Sequence, residues 1–567
     1  MKNALDRSAG RTRRDFFTQA AATTLAVATA PTASAAASRP APASSFLEIV
    51  RAPSEVTAYA GLEHSQGLER VGLTWHGKGI VVATEPSATE LPVQISAPGL
   101  DVTHLHLRWH VTSSPRLACL GDAWERSYGD LGWRGMTPER VMPWYFATHD
   151  GQAVHGYGVK TAAGALCFWQ LDPEGVSLWL DLRNGGSGVR LGDRQLRAAI
   201  VVSRRGRGDE HPVAAVRQLC RAMCSAPRLT GPVYGSNDWY YAYGHNSAVQ
   251  TLRDADLIAS LAPAAGPRPF AVIDAGWTDH SPTFPEMGEL AAAVRQKGVR
   301  PGIWVRPLEA PRSATASMLL PGKRFGERSG RESELAYDPT VPEALTAVLD
   351  KIRQVRAWGY QLVKHDFSTY DLLGQWGFEM GAQPSLPGWS FHDRSRTNAE
   401  IILDLYRALR ATAGEAAVII GCNTVGHLSA GLFDLQRIGD DTSGRRWERT
   451  RRMGVNTLAY RLPQHDSFFA VDPDCIGITK DIPWELNRQW LDLVARSGAA
   501  LFVSPGAVGP EQLRAITAAF ALAAAGTARG EPVDWFHDTT PERWRFSDLG
   551  EAAYSWCSPE GAYPFTV

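Results

Sequence analysis

The chain has 567 residues, of which 58 are lysine or arginine and 59 are aspartate or glutamate. This length allows two or more domains, since single domains usually contain about 100 to 250 residues. The near balance of charge provides neither a basic surface nor an acidic tail, so nucleic acid is not an expected partner. The 19 tryptophans suit either a large core or the faces of sugar rings.

Residues 1–35 are predicted to be a twin-arginine signal peptide. The stretch TRRDFF at 12–17 carries the arginine pair, a modestly apolar run covers 20–30, and ASA at 33–35 is a small-residue cleavage site. An Ala/Pro/Ser-rich linker is predicted over 36–45. No later apolar run reaches the roughly 20 residues that span a bilayer. We therefore expect a secreted or periplasmic protein with no membrane attachment once the signal is removed.

Seven cysteines are scattered along the chain. Proteins exported by the twin-arginine route generally fold before export, so we expect no disulfide framework despite the oxidising destination. Cys220 and Cys224 are four residues apart on a predicted helix, without a nearby second pair to complete a zinc site. We predict that they pack in the core, and no cofactor is expected.

Residues 46–225 are predicted to form an N-terminal antiparallel β-sandwich that ends in a helix over 212–224. Leu105, Leu107 and Trp109 alternate with polar residues, and 166–171 repeats this pattern. Alternation with period two is typical of strands that bury one face. Turn-rich residues then separate this region from the next.

Residues 230–528 are predicted to form a (β/α)8 TIM barrel, the catalytic domain. Short apolar stretches alternate with helical patterns such as 342–358 and 397–413, and eight such repeats favour a barrel. A doubly wound sheet is the alternative, but no Gly-rich dinucleotide turn follows the first strand. The predicted strands are 234–241, 269–276, 300–307, 360–366, 416–422, 432–439, 467–473 and 498–504. Residues 529–567 are predicted to be a short C-terminal β appendage.

Polar residues stand at the carboxyl ends of most predicted strands, where barrel enzymes keep their active residues. A single aspartate there often caps the next helix, but acids and bases at most of the ends predict a functional site. Two carboxylates that face each other on strands four and six could perform glycoside chemistry. The strand-end residues are Asn237, Asp238, Trp239, Asp274, Trp277, Trp304, Arg306, Lys364, Asp366, Cys422, Asn423, Arg437, Asp440, Asp441, Asp472 and Asp474.

The stretch QLVKHDF at 361–367 ends the fourth predicted strand. Lys364 and Asp366 share one strand face, because strand side chains repeat every second residue. A cation at that spacing lowers the pKa of Asp366 and keeps the carboxylate ionised for nucleophilic attack. His365 should point the other way, toward the helices, as a structural residue.

Seven motifs occur in order along the predicted barrel: VIDAGW at 272–277, FPEM at 284–287, PGIWVRP at 301–307, WGYQLVKHDF at 358–367, IIGCN at 419–423, QRIGDDT at 436–442 and DPDC at 472–475. With them, the barrel resembles the clan of retaining α-galactosidases and is most similar to bacterial, melibiase-like members of glycoside hydrolase family 36. The preceding β-sandwich also suits that family.

The resemblance implies roles for particular residues. It implies that Asp366 is the nucleophile and that Asp441 is the acid/base. Asp440 is the alternative candidate for the acid/base. The resemblance also implies that sugar hydroxyls are held by Asp274, Lys364 and Arg437, in a pocket lined by Trp304 and Cys422. Trp239 and Asn423 are further substrate-binding candidates from their strand ends.

One position departs from the family pattern. Relatives that prefer galactose usually carry two adjacent aspartates on the second strand, and the second contacts the axial hydroxyl at carbon four; this chain has Ala275 there. Loop residues that could rebuild the sugar site, or simply pack the loops, are His245, Trp389, Trp447 and Trp484.

The predicted function is therefore an exported retaining α-glycosidase, α-galactosidase-like, whose partner is a glycoside or oligosaccharide. An α-glucan, α-N-acetylgalactosaminide or β-L-arabinopyranoside substrate, or transglycosylation, remains open, as does the oligomeric state. One rival is a catalytically weak glycan-binding protein. Another is a magnesium enzyme with ligands Asp274, Asp366 and Asp472, which Lys364 disfavours because it places a cation beside them.

Overall fold

The computed structural model describes residues 45–112, 116–278, 283–284, 286–327 and 334–563. The predicted signal peptide and the predicted linker up to residue 44 lie outside the described residues, as does Pro285 of the FPEM motif. Within the described ranges, none of the helices combines the length and apolar character needed to cross a membrane.

Antiparallel strands build the first part of the described chain, as the alternating pattern predicts. They are β1 (Glu55–Tyr59), β2 (Ser65–Gly67), β3 (Glu69–Val71), β4 (Thr74–Gly77), β5 (Ile80–Thr84), β6 (Glu90–Ser96), β7 (Asp101–Val102), β8 (His104–His110), β9 (Ala118–Gly121), β10 (Arg134–Gly135), β11 (Met142–Pro143), β12 (Tyr145–His149), β13 (Val154–Val159), β14 (Leu166–Asp172), β15 (Gly175–Asp181), β16 (Val189–Arg190) and β17 (Leu196–Arg204).

These strands form two large sheets. One has the order β11-β14-β15-β8-β1-β2 and the other β10-β9-β12-β13-β17-β6-β5-β4-β3, while β7 pairs with β16. Phe146 of β12 meets Trp169 of β14 with ring centroids 5.6 Å apart, which joins the two sheets through the core. Trp109, Trp144 and Trp169 are fully buried. The tryptophans of this region therefore serve mainly as core residues.

Helix α1 (Pro212–Met223) packs on β13. Its Met223 lies directly over Gly158, where an added Cβ would come 2.3 Å from the methionine sulfur. A glycine is therefore needed for the helix to approach the strand this closely. Cys220 and Cys224 are buried in the same core, which confirms the prediction that they pack there.

Parallel strands build the second part. They are β18 (Tyr234–Asn237), β19 (Phe270–Ile273), β20 (Arg300–Val305), β21 (Leu362–His365), β22 (Val418–Gly421), β23 (Leu435–Arg437), β24 (Ala470–Asp472), β25 (Cys475–Ile478) and β26 (Leu501–Pro505). Their order is β24-β23-β22-β21-β20-β19-β18-β26-β25. Because only Pro473 and Asp474 separate the two end strands, β24 and β25 act as two halves of one seventh strand and the sheet closes as a (β/α)8 barrel.

Helices alternate with these strands. They are α2 (Trp239–Ala242), α3 (Ala248–Leu261), α4 (Met287–Gln296), α5 (Pro342–Ala357), α6 (Ser368–Leu373), α7 (Asn398–Ala413), α8 (Gly426–Ser429), α9 (Trp447–Thr450), α10 (Thr457–Arg461), α11 (Trp484–Ser497) and α12 (Pro510–Ala525). A π-helical turn covers Arg451–Asn456, and short 3₁₀ turns cover Ala316–Met318, Gly322–Phe325, Gly377–Met380 and Leu462–Gln464. Strands β27 (Gly530–Pro532), β28 (Arg543–Phe546) and β29 (Gly550–Ala553) form a small antiparallel sheet at the C-terminal side.

Each predicted barrel strand overlaps an observed one, but two details were wrong. The first strand, predicted over 234–241, ends at Asn237 because the chain then turns into α2. The second half of the seventh strand, β25, was not predicted. His365 points toward the helix layer as predicted, because its ring contacts Tyr406 of α7. The chain from Ser45 onward clusters as one compact unit, so the predicted domain boundaries stay predictions.

Candidate active site

The carboxyl ends of the parallel strands surround a cavity of about 330 Å³, within the range of about 300 to 1,000 Å³ typical of small-molecule sites. Six of the nine predicted site residues line it, namely Trp239, Asp274, Trp304, Lys364, Asp366 and Asp441. The cavity is also lined by Arg126, Ala275, Gly276, Thr278, Arg306, Glu309, Phe367 and Trp376. Five strand ends and a residue of the antiparallel region thus meet around one space.

Asp366 follows β21 and is held by three hydrogen bonds. The Trp304 indole N–H donates to Oδ2 at 3.0 Å, and the backbone N–H groups of Phe367 and Asn423 donate to Oδ1 at 2.8 and 3.0 Å. Phe367 adopts a left-handed backbone with φ of 64°, an uncommon conformation for a bulky residue. The turn after β21 therefore fixes the carboxylate at the cavity wall.

Charges in the cavity keep Asp366 acidic. Burial by itself raises the pKa of this carboxyl, but Arg126 and Lys364, together with the hydrogen bonds from Trp304 and Phe367, more than offset it, so the pKa lies below the usual aspartate value. The sequence argument named Lys364 for this effect. Arg126, which the sequence argument did not find, lowers the pKa of Asp366 more strongly than Lys364 does.

Lys364 pairs directly with the second strand. Its Nζ lies 2.6 Å from Asp274 Oδ2, and the same oxygen accepts a hydrogen bond from the Asn237 amide at 2.6 Å. Burial lowers the pKa of Lys364, but the surrounding acidic groups, of which Asp274 contributes most, together hold it well above the usual value. Lys364 thus stays charged and ties the fourth strand end to the second.

The two aspartates after β23 have different surroundings. Asp440 is held by Arg126 at 2.9 Å and Arg449 at 2.7 Å, with its side chain 14% exposed. Asp441 lines the cavity, its side chain is 39% exposed, and it lies 3.2 Å from Arg437. Desolvation inside the cavity raises the pKa of Asp441 above the usual value, although Arg437 and Arg126 oppose this rise. Asp441 alone of the pair faces the cavity.

The other three predicted site residues lie behind the cavity wall. Arg437 is buried and pairs with Asp474 at 2.6 Å, and its guanidinium also contacts the Cys422 thiol sulfur at 3.8 Å. The buried Asn423 side chain donates to Glu125. Their positions support the carboxylates that they contact, and their predicted sugar contacts stay predictions.

A loop of the antiparallel region completes the site. We call residues 122–130, between β9 and β10, the Arg126 loop. The Ser127 backbone N–H donates to the carbonyl of Ile438 at 2.9 Å, and the Asp440 N–H donates to the Ser127 carbonyl at 2.8 Å. These bonds join the loop to the end of β23. Arg126 was not predicted from the sequence, because its partners Asp440 and Asp441 are more than 300 residues away and no local pattern in the loop indicates them.

Trp376 is a second cavity residue that the sequence did not mark. It lies on the loop after α6 and packs against Phe367 and Tyr370 with ring centroids 5.8 and 4.8 Å apart. The Arg126 guanidinium lies 5.6 Å from its ring centroid, within cation–π range. An aromatic wall therefore borders the charged carboxylates.

The cavity wall at Ala275 is not acidic. The Asn246 amide donates to the carbonyl oxygens of Asp274 and Ala275 at 3.1 and 3.3 Å, which fixes this turn. The alanine side chain is a methyl group and cannot accept a hydrogen bond from a sugar hydroxyl. The cavity wall therefore presents a methyl group at the position where the resemblance implies a second aspartate.

The three loop tryptophans proposed as substitutes lie elsewhere. Trp389 is buried against Phe391, and the Trp447 indole donates to the carbonyl of Trp556 at 2.6 Å. Trp484 packs against the hydrophobic core. These three pack their loops and do not line the cavity.

The described residues contain no cluster of three or more histidine, cysteine, aspartate or glutamate side chains arranged to hold a metal ion. Asp274 and Asp366, two of the ligands in the magnesium alternative, instead accept hydrogen bonds from Lys364 and Trp304.

No protein-family model matches the chain, but solved structures match most of it. An α-galactosidase from Thermus thermophilus, in complex with p-nitrophenyl α-D-galactopyranoside, has a TM-score of 0.57 and 19% identity over 86% of this chain and 99% of its own. A family 36 α-galactosidase from Geobacillus stearothermophilus, in complex with 1-deoxygalactonojirimycin, has a TM-score of 0.58 and 10% identity over 87% of this chain and 80% of its own.

The fold is that of the family 36 α-galactosidases. An α-galactosidase from Lactobacillus brevis agrees, with a TM-score of 0.53 and 13% identity over 88% of this chain and 74% of its own. The resemblance inferred from the motifs is thereby confirmed for the architecture. At these identities the likeness concerns the fold, and the chemistry has to be argued from the cavity itself.

Proposed function

We propose that the protein is a glycoside hydrolase of the α-galactosidase type that works by double displacement. Asp366 is the nucleophile and Asp441 the acid/base. The proposal is supported by the fold, by the motifs at the strand ends and by the two carboxylates that line one cavity. The substrate is a glycoside or oligosaccharide whose terminal sugar enters the cavity.

One observation carries this proposal. Two carboxylates of the same cavity have pKa values displaced in opposite directions, because cations hold Asp366 below the usual value and desolvation moves Asp441 above it. Opposite displacements indicate the role of each carboxyl group. The more acidic Asp366 is suited to stay ionised and attack, and the less acidic Asp441 is suited to hold a proton for donation. A protein that only binds glycans has no need of this difference.

The residues imply a sequence of steps. Asp366 attacks the anomeric carbon while Asp441 gives its proton to the departing oxygen, so the glycosidic bond breaks as a glycosyl ester forms. Asp441, now ionised, takes a proton from water, and the water oxygen attacks the anomeric carbon and releases Asp366. Trp304 and two backbone N–H groups keep the attacking carboxylate in place throughout.

A panel of aryl glycosides that share one leaving group and differ in the sugar tests the function and its specificity together. We expect turnover of at least one of the α-galactoside, α-glucoside, α-N-acetylgalactosaminide and β-L-arabinopyranoside. Asp366→Asn is the control, because it retains the shape of the side chain and removes the nucleophile. If the wild-type protein hydrolyses none of these glycosides but still binds sugar, the result would favour the glycan-binding alternative.

We further propose export by the twin-arginine route, on the evidence of the sequence at 12–17 and 33–35. Cell fractionation of the full chain tests this, with Arg13→Lys/Arg14→Lys as the matched variant. We expect the wild-type protein outside the cytoplasm and the double variant inside; equal distribution of the two would contradict the route.

A further inference from the structure

The Arg126 loop is fixed at several points along its length. Asp122 accepts a hydrogen bond from Arg461 at 2.7 Å and from Gln464 at 3.0 Å. Ser127 pairs through its backbone with the end of β23. The loop therefore presents its side chains to the barrel in a set position, although it belongs to the antiparallel region.

The loop contacts the surroundings of both carboxylates. Glu125 is buried and accepts the Asn423 side-chain amide, and the Asn423 backbone N–H is one of the donors to Asp366. Arg126 lies between the two aspartates after β23, 2.9 Å from Asp440 and 3.6 Å from Asp441. The Arg126 side chain is only 7% exposed, so solvent screens its pairing with Asp440 weakly.

The charges that face Asp441 come from several elements. Arg437 of β23 is shared, because its Nη2 lies 2.6 Å from Asp474 and 3.2 Å from Asp441. Asp440, the neighbour in sequence, adds a negative charge that pairs with both Arg126 and Arg449. The groups around Asp441 are Arg126, Arg437, Asp440, Asp474 and the Tyr240 hydroxyl. Loss of Arg126 would therefore remove one cation from beside Asp441 and leave Asp440 paired with Arg449 alone, and both changes favour the protonated form of Asp441.

We propose that Arg126 is a positioning residue that holds Asp441 in the cavity and sets the pH range over which this carboxyl can donate a proton. The proposal rests on the acid/base role given to Asp441 above. The antiparallel region would thus take part in the reaction. Its Arg126 loop is bonded to the end of β23 and places an arginine beside the proposed acid, Asp441.

The pH dependence of kcat/KM tests this for Arg126→Gln, Arg126→Lys and the wild-type protein. On the high-pH side of this profile, called here the basic limb, kcat/KM falls as Asp441 loses its proton. We expect Arg126→Gln to move this limb upward by about one pH unit, since a neighbouring cation lowers a carboxyl pKa by about that much or more. Arg126→Lys retains the charge and should leave the limb close to that of the wild-type protein.

Arg194→Gln is the matched control. Arg194 is also an arginine of the antiparallel region that pairs with a barrel carboxylate, Glu400, at 2.7 Å. Its loss should leave the limb unmoved. If Arg126→Gln does not fold, Asp440→Asn replaces it and should move the limb downward, because it removes the anion beside Asp441. A limb that stays in place in every variant overturns the proposal.

A second readout does not need turnover. Carbodiimide modifies carboxyls in their protonated form, so its reaction with Asp441 against pH, followed by peptide mass spectrometry, gives the midpoint directly. We expect a higher midpoint in Arg126→Gln than in the wild-type protein. If the wild-type protein cleaves no glycoside, the proposed function fails, yet an upward midpoint still supports the role of Arg126. An unchanged midpoint overturns it.

Discussion

Two sides of the cavity are built differently. At the ends of β21 and β23, Asp366 is fixed by three hydrogen bonds and Asp441 faces two arginines. At the end of β19, Ala275 offers only a methyl group beside the Asp274–Lys364 pair. The first side carries groups that can make and break a glycosidic bond. We expect the second side to decide which sugar fits, because Ala275 stands there in place of the second aspartate that the resemblance implies.

The largest expected effect is on the reaction side. Asp366→Asn should lower kcat by on the order of 1,000-fold or more, because an amide cannot form the glycosyl ester. Steady-state rates on the best aryl α-glycoside give the measurement, with thermal unfolding as a check on folding. Undiminished turnover by a folded variant would remove Asp366 from the mechanism.

Asp441→Ala should lower the rate on a poor leaving group by about 100- to 10,000-fold, the usual contribution of general acid catalysis. A leaving group that needs no proton should lose much less. Rates on a series of aryl glycosides with leaving groups of graded pKa measure this difference. Asp440→Asn is the matched control and should retain most of the rate at its optimum; if it shows the larger loss, Asp440 is the acid.

The pH profile of kcat/KM should be bell-shaped. Activity should fall on the acid side as Asp366 takes up a proton, below the usual range for aspartate because its pKa is lowered. It should fall on the basic side as Asp441 loses its proton, above that range because its pKa is raised. Initial rates across buffers of constant ionic strength give both limbs. Two limbs inside the ordinary aspartate range would contradict the assignment.

The smallest expected effect lies on the sugar side. Ala275→Asp places a carboxylate on the cavity wall, where it can accept a hydrogen bond from an axial hydroxyl at carbon four. We expect the ratio of kcat/KM for α-galactoside over α-glucoside to rise by about tenfold. Ala275→Asn controls for size. An unchanged ratio would mean that the sugar is selected elsewhere in the cavity.

Local patterns predicted much of this architecture. Alternation marked the antiparallel strands, and the helical pattern over 397–413 marked α7, whose start is stabilised by a capping box of Thr397 and Glu400. Strand-end residues such as Asp274, Lys364 and Asp366 were found because parallel strands bring their carboxyl ends to one edge. The predictions for the signal peptide fall outside the described residues.

Other features depend on contacts between distant segments, which no local pattern encodes. Arg126 meets Asp441 across more than 300 residues, and Glu125 meets Asn423 across 298. Strand β25 was missed because Pro473 interrupts the apolar pattern and reads as the end of a strand. The sequence therefore indicated the two carboxylates of the cavity, whereas the loop that contacts their surroundings required the fold.

As the nucleophile, Asp366 should form a covalent bond with the sugar. Incubation with an activated fluorinated α-glycoside, which slows hydrolysis of the glycosyl ester, followed by peptide mass spectrometry, tests it directly. The account predicts one added sugar on the peptide that contains Asp366, and no addition in Asp366→Asn. A sugar attached to a different carboxyl, or turnover of this reagent without any adduct, would contradict it.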